Sequence, residues 1–449
     1  MRTLLRNGRL AAGGRVGPGN LLMDGERIVA AGPELSGNAE RVFDLKGAYI
    51  LPGLVDLHVH LDDQIGRFEL ADSYLGGSRI AAQNGITTLC SFITQDRCRS
   101  LPQAMRDARE RAARGTHCDL QWHLTPTTFE ARDRAFLATL PALGWHTIKL
   151  YTTYREAGIC SDDSRIGDLF RTLGPAGFGF LVHCEDDDLI SGADADPSAG
   201  PQAHADLRPP LAELTAVRKV LGLARANRAR LHVVHVSTAA AARALAPARE
   251  GDHGITCETC PQYLWLDPAW LRREDGHRWI CSPPLREDRE EFRDLARSGA
   301  FDVFATDHCP FCRGDKDDWD RRDVRSVANG LPGLGALLPL FWRLFEEDPD
   351  RAALELARRA AENPARVAGL WPRKGSLAPG SDADVAVVDP SGPEREVRSS
   401  LGEVWEPYPG FRTRVQASLV FRRGDLIVAE GQLVEADPGG RILPRFPEL

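Results

Sequence analysis

The stretch GLVDLHVHLDD, residues 53–63, is the first of eight short apolar segments that together decide the fold, and it carries His58 and His60. Side chains at positions i and i+2 of a β-strand lie on one face, where two imidazoles can reach a single metal ion. Two histidines hydrogen-bonded in a polar loop are the other interpretation of this stretch on its own. The segments that follow along the chain favour the first interpretation.

The eight apolar segments alternate with longer amphipathic stretches rich in Ala, Leu and Arg, a pattern typical of repeated βα units. They are VDLHVH (55–60), TTLCSF (87–92), LQWHLT (120–125), TIKLY (147–151), FLVHC (180–184), LHVVHV (231–236), ITCETC (255–260) and DVFATDH (302–308). Eight is the number of parallel strands that closes a barrel of this kind. We therefore predict an α/β fold, a (β/α)8 TIM barrel, over residues 53–371.

Both ends of the chain consist instead of short β segments joined by turns. LLMDGERIVAAG (21–32) has a hairpin turn at Asp24-Gly25, and SDADVAVVDP (381–390) and ASLVFRRGDLIVAEG (417–431) are of the same type. We predict that residues 1–52 and 372–449, the latter ending in a tail, form one small β-sandwich domain.

The composition is that of an ordinary globular protein, with 43% hydrophobic and 27% charged residues among 449. A net charge of -8 argues against a nucleic-acid surface, which needs clustered Lys and Arg. The N-terminus has no sustained apolar run, and no stretch is long enough to span a membrane. We expect a cytoplasmic protein whose partner is a small molecule, with no nucleic-acid or membrane partner.

The C-terminal ends of the predicted barrel strands carry metal-binding side chains. These are His58 and His60 on the first segment, Lys149 on the fourth, His183 on the fifth, His235 on the sixth and Asp307 on the eighth. Barrel enzymes place their chemistry at this end, so the six groups are expected to converge. Taken singly, His183 and His235 are also explained as buried neutral histidines, and Asp307 as the cap of a following helix.

Lys149, between Ile148 and Leu150 in TIKLY, must extend to solvent, pair with a carboxylate or be modified, because an unpaired buried ammonium is costly. Burial beside cations lowers the pKa of a lysine and makes its amine available to react with carbon dioxide. The resulting carbamate has two oxygens, one for each of two metals.

Ten cysteines without a signal peptide are expected to be reduced thiols. Two CxxC pairs, Cys257 with Cys260 and Cys309 with Cys312, leave open a four-thiolate structural zinc site. We favour small buried hydrophobic residues, because both pairs lie where barrel strands end.

The arrangement resembles the amidohydrolase superfamily, and within it the cyclic amidohydrolases, which comprise dihydropyrimidinases, hydantoinases, allantoinases and dihydroorotases. The resemblance covers nearly the whole chain. Besides HVH, the matching stretches are NGITT (84–88), TQDRCRSLPQAM (94–105), IKLYTTY (148–154), VHCED (182–186), VVHVST (233–238), ETCPQYL (258–264), CSPPLR (281–286), ATDHCPF (305–311), NGLPG (329–333) and NPARVAGLWPRKGSLAPGSDADVAVVDP (363–390).

This resemblance implies two zinc ions per subunit, bridged by an N6-carboxylated Lys149 and a hydroxide. One ion would be held by His58, His60 and Asp307, and the other by His183 and His235. Two cations that share a water lower its pKa and supply a nucleophile at neutral pH.

The resemblance also implies roles in catalysis. The hydroxide would attack the carbonyl, Asp307 would shuttle the proton to the leaving nitrogen, and Tyr154 would stabilise the oxyanion. On its position alone, the less favoured alternative for Tyr154 is an ordinary amphipathic tyrosine in a loop. Ser282 and Asn329 match positions whose backbone groups bind the cyclic amide or imide in the family.

The dihydropyrimidinase and hydantoinase branch is the most similar, because of the TQDR stretch, the Lys-to-Tyr spacing and CSPPLR. Dihydroorotases carry an arginine two positions after the second histidine, where this chain has Asp62, unless Arg67 takes that role. The stretch LDDQIGRFELADS (61–73) is more charged than the loop expected there.

The function predicted is that of a binuclear-zinc hydrolase. It would open the amide bond of a cyclic ureide or imide, a dihydropyrimidine or 5-substituted hydantoin, to an N-carbamoyl amino acid. Alternatives are an allantoinase or a dihydroorotase-like enzyme, a mononuclear deaminase of the superfamily, and a non-catalytic scaffold of the same fold. The resemblance also implies a homodimer or homotetramer.

Overall fold

The computed structural model describes residues 1–35, 37–251, 254–402, 404–434 and 438–447. Its strands, numbered along the chain, are β1 Arg2–Ala12, β2 Arg15–Asp24, β3 Arg27–Gly32, β4 Arg41–Asp44, β5 Tyr49–Pro52, β6 Leu54–Asp56, β7 Gln64–Ile65, β8 Phe68–Glu69, β9 Ile86–Thr94, β10 Asp119–Thr125, β11 Thr147–Tyr151, β12 Gly179–His183, β13 Arg230–Val233, β14 Ile255–Thr259, β15 Val303–Phe304, β16 Val385–Asp389, β17 Arg395–Glu396, β18 Arg412–Thr413, β19 Gln416–Arg422, β20 Asp425–Ala429 and β21 Gln432–Leu433.

The α-helices are likewise numbered along the chain. They are α1 Tyr74–Gln83, α2 Leu101–Ala112, α3 Ala131–Thr139, α4 Asp163–Leu173, α5 Asp187–Ser191, α6 Ala203–Leu207, α7 Pro210–Asn227, α8 Ala239–Gly251, α9 Pro261–Trp265, α10 Arg289–Ser298, α11 Arg313–Asp317, α12 Leu337–Arg343, α13 Pro349–Ala357 and α14 Asn363–Val367. Short 3-10 and π turns connect several of them.

Eight parallel strands form the central barrel. They neighbour one another in chain order, β6, β9, β10, β11, β12, β13, β14 and β15, and a parallel bridge between Val59 and His308 joins the first strand to the last. Strands such as β10 and β12 are buried along their whole length, because one face packs inside the barrel and the other against helices. The predicted (β/α)8 barrel is confirmed.

Three of the helices around the barrel, α1, α2 and α4, begin at residues whose side chains cap them. Ser73 caps α1 by accepting a hydrogen bond from Gly76 N, and Ser100 caps α2 in the same way from Gln103 N. Asp162 does so for α4, whose buried face is Ile166, Leu169, Phe170 and Leu173. Each helix therefore starts at a fixed point after its strand and packs one apolar stripe on the barrel.

The two chain ends join in a single nine-stranded sheet, as predicted for the small β domain. Its order is β21, β20, β19, β16, β5, β1, β2 and β3, with β4 also beside β1. The ends meet where β5 pairs with β16 in antiparallel fashion, Ile50 opposite Val387. A separate apolar cluster, which includes Leu21, Met23 and Phe421, forms its core. The exact domain boundaries, residues 52 and 371, stay a prediction.

A buried charge network joins the barrel to this β domain. Lys374 Nζ lies 2.5 Å from Asp119 Oδ2, 3.0 Å from Asp382 Oδ2 and 2.6 Å from Asp384 Oδ2, and the lysine side chain is fully buried. Asp119 is the first residue of β10 and also pairs with Arg423. Since the partners come from the barrel and from the C-terminal segment, the network fixes one against the other.

Among the described residues, no helix combines the length and the apolar character needed to cross a membrane.

Candidate metal centre

Three of the predicted ligands, His58, His60 and Asp307, converge at the C-terminal mouth of the barrel. His58 Nε2 lies 3.2 Å and His60 Nε2 3.5 Å from Asp307 Oδ1. The three side chains offer ligand atoms that all lie within 4.8 Å of one another, a spacing suited to one cation. Asp307 is not the cap of a following helix, since α11 begins only at Arg313.

The other two histidines lie beside this group. The ring centroids of His183 and His235 are 4.5 Å apart, and that of His235 is 5.3 Å from the ring of His58. Both side chains are buried, and burial lowers the pKa of each imidazole. They are therefore held as neutral rings, the form in which histidine binds a metal.

Lys149 is almost completely buried in the same cavity. Its Nζ lies 5.2 Å from the ring centroid of Phe92 and 5.1 Å from that of Tyr151. Within the described ranges it has neither a carboxylate within ion-pair distance nor a hydrogen-bond partner. Burial lowers the pKa of this lysine to about 8, so that an appreciable fraction is neutral amine near neutral pH.

Two buried ring nitrogens show that the donor set suits cations. His58 Nε2 and His235 Nδ1 have no hydrogen-bond partner among the described residues, although both are shielded from water. An unpaired buried polar atom is costly, and a metal ion supplies the missing partner. Neutral imidazoles and the carboxylate of Asp307 are donors that zinc accepts.

The backbone is strained at three of these positions. His235, Asp307 and Tyr154 have φ angles of 37°, 50° and 67°, in the left-handed region that residues with a side chain rarely adopt. Each such residue costs on the order of 1–3 kcal/mol, and strain of this kind concentrates at functional sites. The strain lies where the predicted site residues turn into the cavity.

Glu258 is an important residue that the sequence interpretation missed. Its Oε1 lies 2.5 Å from His58 Nδ1, and its Oε2 lies 2.9 Å from His232 Nε2. Burial raises the pKa of Glu258, but His58 and His232 together lower it by more, so the pKa lies below its usual value. A carboxylate on Nδ1 leaves Nε2 of His58 facing Asp307, which fixes the ring for a metal. Its presence in the ETCPQYL motif was the available signal.

Glu185 performs the same task for His183 and was also missed. Its Oε2 lies 2.7 Å from His183 Nε2 and 2.5 Å from Arg208 Nη1. The Arg208 guanidinium lies over the ring of Tyr154, 4.9 Å from its centroid. Arg208 therefore links the orientation of His183 to that of Tyr154. Nothing in the sequence placed Arg208, which is remote from any strand end, at the site.

Tyr154, Ser282 and Asn329 are brought together next to the histidines. The ring centroid of Tyr154 is 5.3 Å from that of His183. Burial raises the pKa of the Tyr154 hydroxyl, while Arg208 and a hydrogen bond with Ser282 oppose that rise. Asn329 Nδ2 donates to Ser282 Oγ at 2.8 Å. The three residues form one wall of the cavity.

Arg67 and the cysteine pairs are not among the residues that converge as candidate ligands. Arg67, in the hairpin of β7 and β8, is largely exposed and pairs with Asp318 at 2.8 Å. Cys257, Cys260 and Cys309 are buried, and the described part of the chain contains no thiolate cluster suited to a metal. The preferred interpretation as buried apolar residues fits these three, whereas Cys312 is half-buried.

Comparisons with known proteins point to one family. The amidohydrolase family model matches residues 49–429. The D-phenylhydantoinase of Escherichia coli O1:K1 / APEC is 31% identical over 465 residues, covering 100% of this chain and 99% of that protein.

Solved structures agree. The dihydropyrimidinase from Brevibacillus agri NCHU1002 superposes with a TM-score of 0.91 at 28% identity, and the D-hydantoinase from a Bacillus sp. AR9 with 0.92 at 29%, each over 100% of both chains. On its sequence and on the arrangement of its barrel, this chain belongs to the amidohydrolase family, in the branch of the hydantoinases and dihydropyrimidinases.

Proposed function

We propose that this protein hydrolyses the ring amide of a 5-substituted hydantoin or a dihydropyrimidine and releases an N-carbamoyl amino acid. The observation that carries the proposal is the convergence of four histidines, Asp307 and the unpaired Lys149 at one barrel mouth. The names of the relatives, D-phenylhydantoinase and dihydropyrimidinase, support the same class of substrate.

Two zinc ions fit the donors of this site. His58, His60 and Asp307 would hold one ion, His183 and His235 the other, and carboxylated Lys149 would contribute an oxygen to each. When bound, zinc would lower the pKa of a coordinated water and so supply a nucleophile at neutral pH.

Asp307 would handle the proton. Its Oδ1 lies beside His58 and His60, and the charges of these residues and of Lys149 lower its pKa against the opposing effect of burial. It is therefore ionised and ready to take a proton from the attacking water. The same proton is then passed to the ring nitrogen as the amide bond breaks.

Tyr154, Ser282 and Asn329, next to the histidines, would bind and polarise the ring. Tyr154 presents a phenol whose pKa burial keeps high, so that it remains a hydrogen-bond donor to the developing oxyanion. The backbone groups of Ser282 and Asn329 would bind the amide or imide edge. A cytoplasmic homodimer or homotetramer is part of the same proposal.

A substrate panel with the zinc-reconstituted protein tests this function. The panel contains 5-phenylhydantoin, dihydrouracil, dihydroorotate, allantoin and glutarimide, and ring opening is followed by loss of ring absorbance and chromatography of the product. We expect turnover of the hydantoin or the dihydropyrimidine. Asp307→Asn is expected to abolish it, whereas Arg67→Ala should not.

Selective hydrolysis of dihydroorotate or allantoin would replace this proposal with one of the alternative cyclic amidohydrolases. Absence of turnover with any compound in the presence of zinc, cobalt or manganese would contradict it altogether. A deaminase is distinguished by release of ammonia and by the lack of added mass on Lys149.

A further inference from the structure

A second buried lysine, Lys316, lies outside the metal centre. It belongs to α11, and its side chain is completely shielded from solvent. Its Nζ donates to the carbonyl oxygen of Ile280 at 3.0 Å and to that of Ala328 at 2.7 Å. In the portion of the chain that the structure describes, no carboxylate lies within ion-pair distance of it.

An ammonium buried without a carboxylate is destabilising unless hydrogen bonds to the protein replace its lost hydration. Burial lowers the pKa of Lys316 to about 7. Its position 5.5 Å from the ring centroid of Phe311 would suit an apolar side chain of the same length equally well. Both the ammonium and the neutral amine have N–H donors, so the two carbonyl oxygens that Nζ binds explain why a lysine occupies this buried position.

These carbonyl oxygens belong to the two segments that carry Ser282 and Asn329. Ile280 precedes Ser282 by two residues, and Ala328 immediately precedes Asn329. The segments contact each other through Gly330 N, which donates to Ile280 O at 3.1 Å, and through the Asn329 to Ser282 hydrogen bond. The Nζ atom of Lys316 adds a side-chain donor that binds the backbone of both segments.

The residues on either side of α11 also contact the hairpin of β7 and β8. The rings of Phe311 and Phe68 pack edge to face with centroids 6.0 Å apart, and Arg67 pairs with Asp318. A shift of α11 would therefore move both the ring-binding segments and the hairpin of β7 and β8.

We propose that Lys316 is a positioning residue for substrate binding, which holds the Ser282 and Asn329 segments at the separation that fits the ring amide. This inference rests on the proposed function. Lys316 touches neither the substrate nor the metal ligands. Its loss is expected to weaken ring binding while the metal centre stays intact.

The test compares Lys316→Met with Arg313→Met, a control that removes an exposed cation from the same helix. For Lys316→Met we expect KM for 5-phenylhydantoin to rise about tenfold, equivalent to about 1.4 kcal/mol. We expect kcat to change less and the zinc content to stay at the wild-type value. The dissociation constant of glutarimide, measured by calorimetry, should rise in parallel. Arg313→Met should leave all four quantities unchanged.

Chemical rescue separates positioning from general stability. Propylammonium added to Lys316→Ala should lower KM in a saturable manner, whereas 1-propanol of equal size should not. An unchanged KM in Lys316→Met, a parallel loss of kcat and bound zinc, or equal rescue by the alcohol would overturn the proposal. Failure of Lys316→Met and Lys316→Ala to fold would also overturn it, because the lysine would then be required for folding in general.

The wild-type protein decides which idea fails. If it neither binds nor hydrolyses any ring compound, the proposed function and this inference fall together. If the wild-type protein hydrolyses a ring compound and Lys316→Met has the same KM for it, only the role of Lys316 is contradicted.

Discussion

At the scale of single residues, the proposed chemistry depends on the hydroxyl of Tyr154. Its strained backbone, at a φ of 67°, and the guanidinium of Arg208 over its ring hold the phenol beside His183. Tyr154→Phe removes one preorganised donor and is expected to lower kcat by about 10²–10³-fold, with little change in KM. Steady-state kinetics on 5-phenylhydantoin measure this.

The matched control is Tyr49→Phe, which removes the hydroxyl of a tyrosine in the terminal sheet that bonds Asp350. It should leave kcat unchanged. Full activity of Tyr154→Phe would remove Tyr154 from the mechanism.

Glu258 is the residue that determines how His58 presents its free nitrogen. Glu258→Gln weakens the hydrogen bonds to His58 and His232, and we expect zinc affinity to fall about 10–100-fold, as for other residues that orient a metal ligand. Competition with a chromophoric chelator measures the affinity. Glu213→Gln is the control, because Glu213 is equally buried but bonds Ser237 and Thr238 instead. Equal losses in both variants would contradict the assignment.

At the scale of elements, the sequence predicts strands better than the contacts between them. Each of the eight barrel strands overlaps one of the predicted segments, since a fully buried parallel strand has a short, nearly continuous apolar sequence. The six groups at their ends could be predicted for the same reason. Glu258, Glu185 and Arg208 could not, because their importance depends on which distant side chains the closed barrel brings next to them.

Arg67 lies in the hairpin of β7 and β8. Its mutation tests whether it replaces the arginine that dihydroorotases carry after the second histidine. Arg67 pairs with exposed Asp318 and lies over Phe68, away from the histidines. We expect Arg67→Ala to change KM for 5-phenylhydantoin less than about twofold and to cost at most about 1 kcal/mol of stability, as exposed ion pairs do. Kinetics and urea unfolding check both values. A selective loss of dihydroorotate hydrolysis would restore that alternative.

At the scale of the whole molecule, Lys374 joins the barrel to the β domain. Lys374→Met would leave Asp119, Asp382 and Asp384 buried next to one another without their shared cation. We expect the free energy of unfolding to fall by about 3–5 kcal/mol. Arg441→Met, which breaks an exposed pair with Glu26, is the control and should cost less than about 1 kcal/mol. Similar losses of unfolding free energy in Lys374→Met and Arg441→Met would show that the buried network stabilises the protein no more than an exposed ion pair does.

The same whole-molecule arrangement places the candidate metal ligands of five different strands at one mouth, where we propose that cyclic amides are opened with two metal ions. The most direct measurement titrates zinc, in bicarbonate buffer, into chelator-treated protein and follows ring opening of 5-phenylhydantoin. We predict no activity without metal, a rise that ends at two zinc ions per chain, and no activity at any ratio in Lys149→Ala. Full activity in the metal-free protein or in Lys149→Ala, or no ring opening at any zinc ratio, would contradict the account.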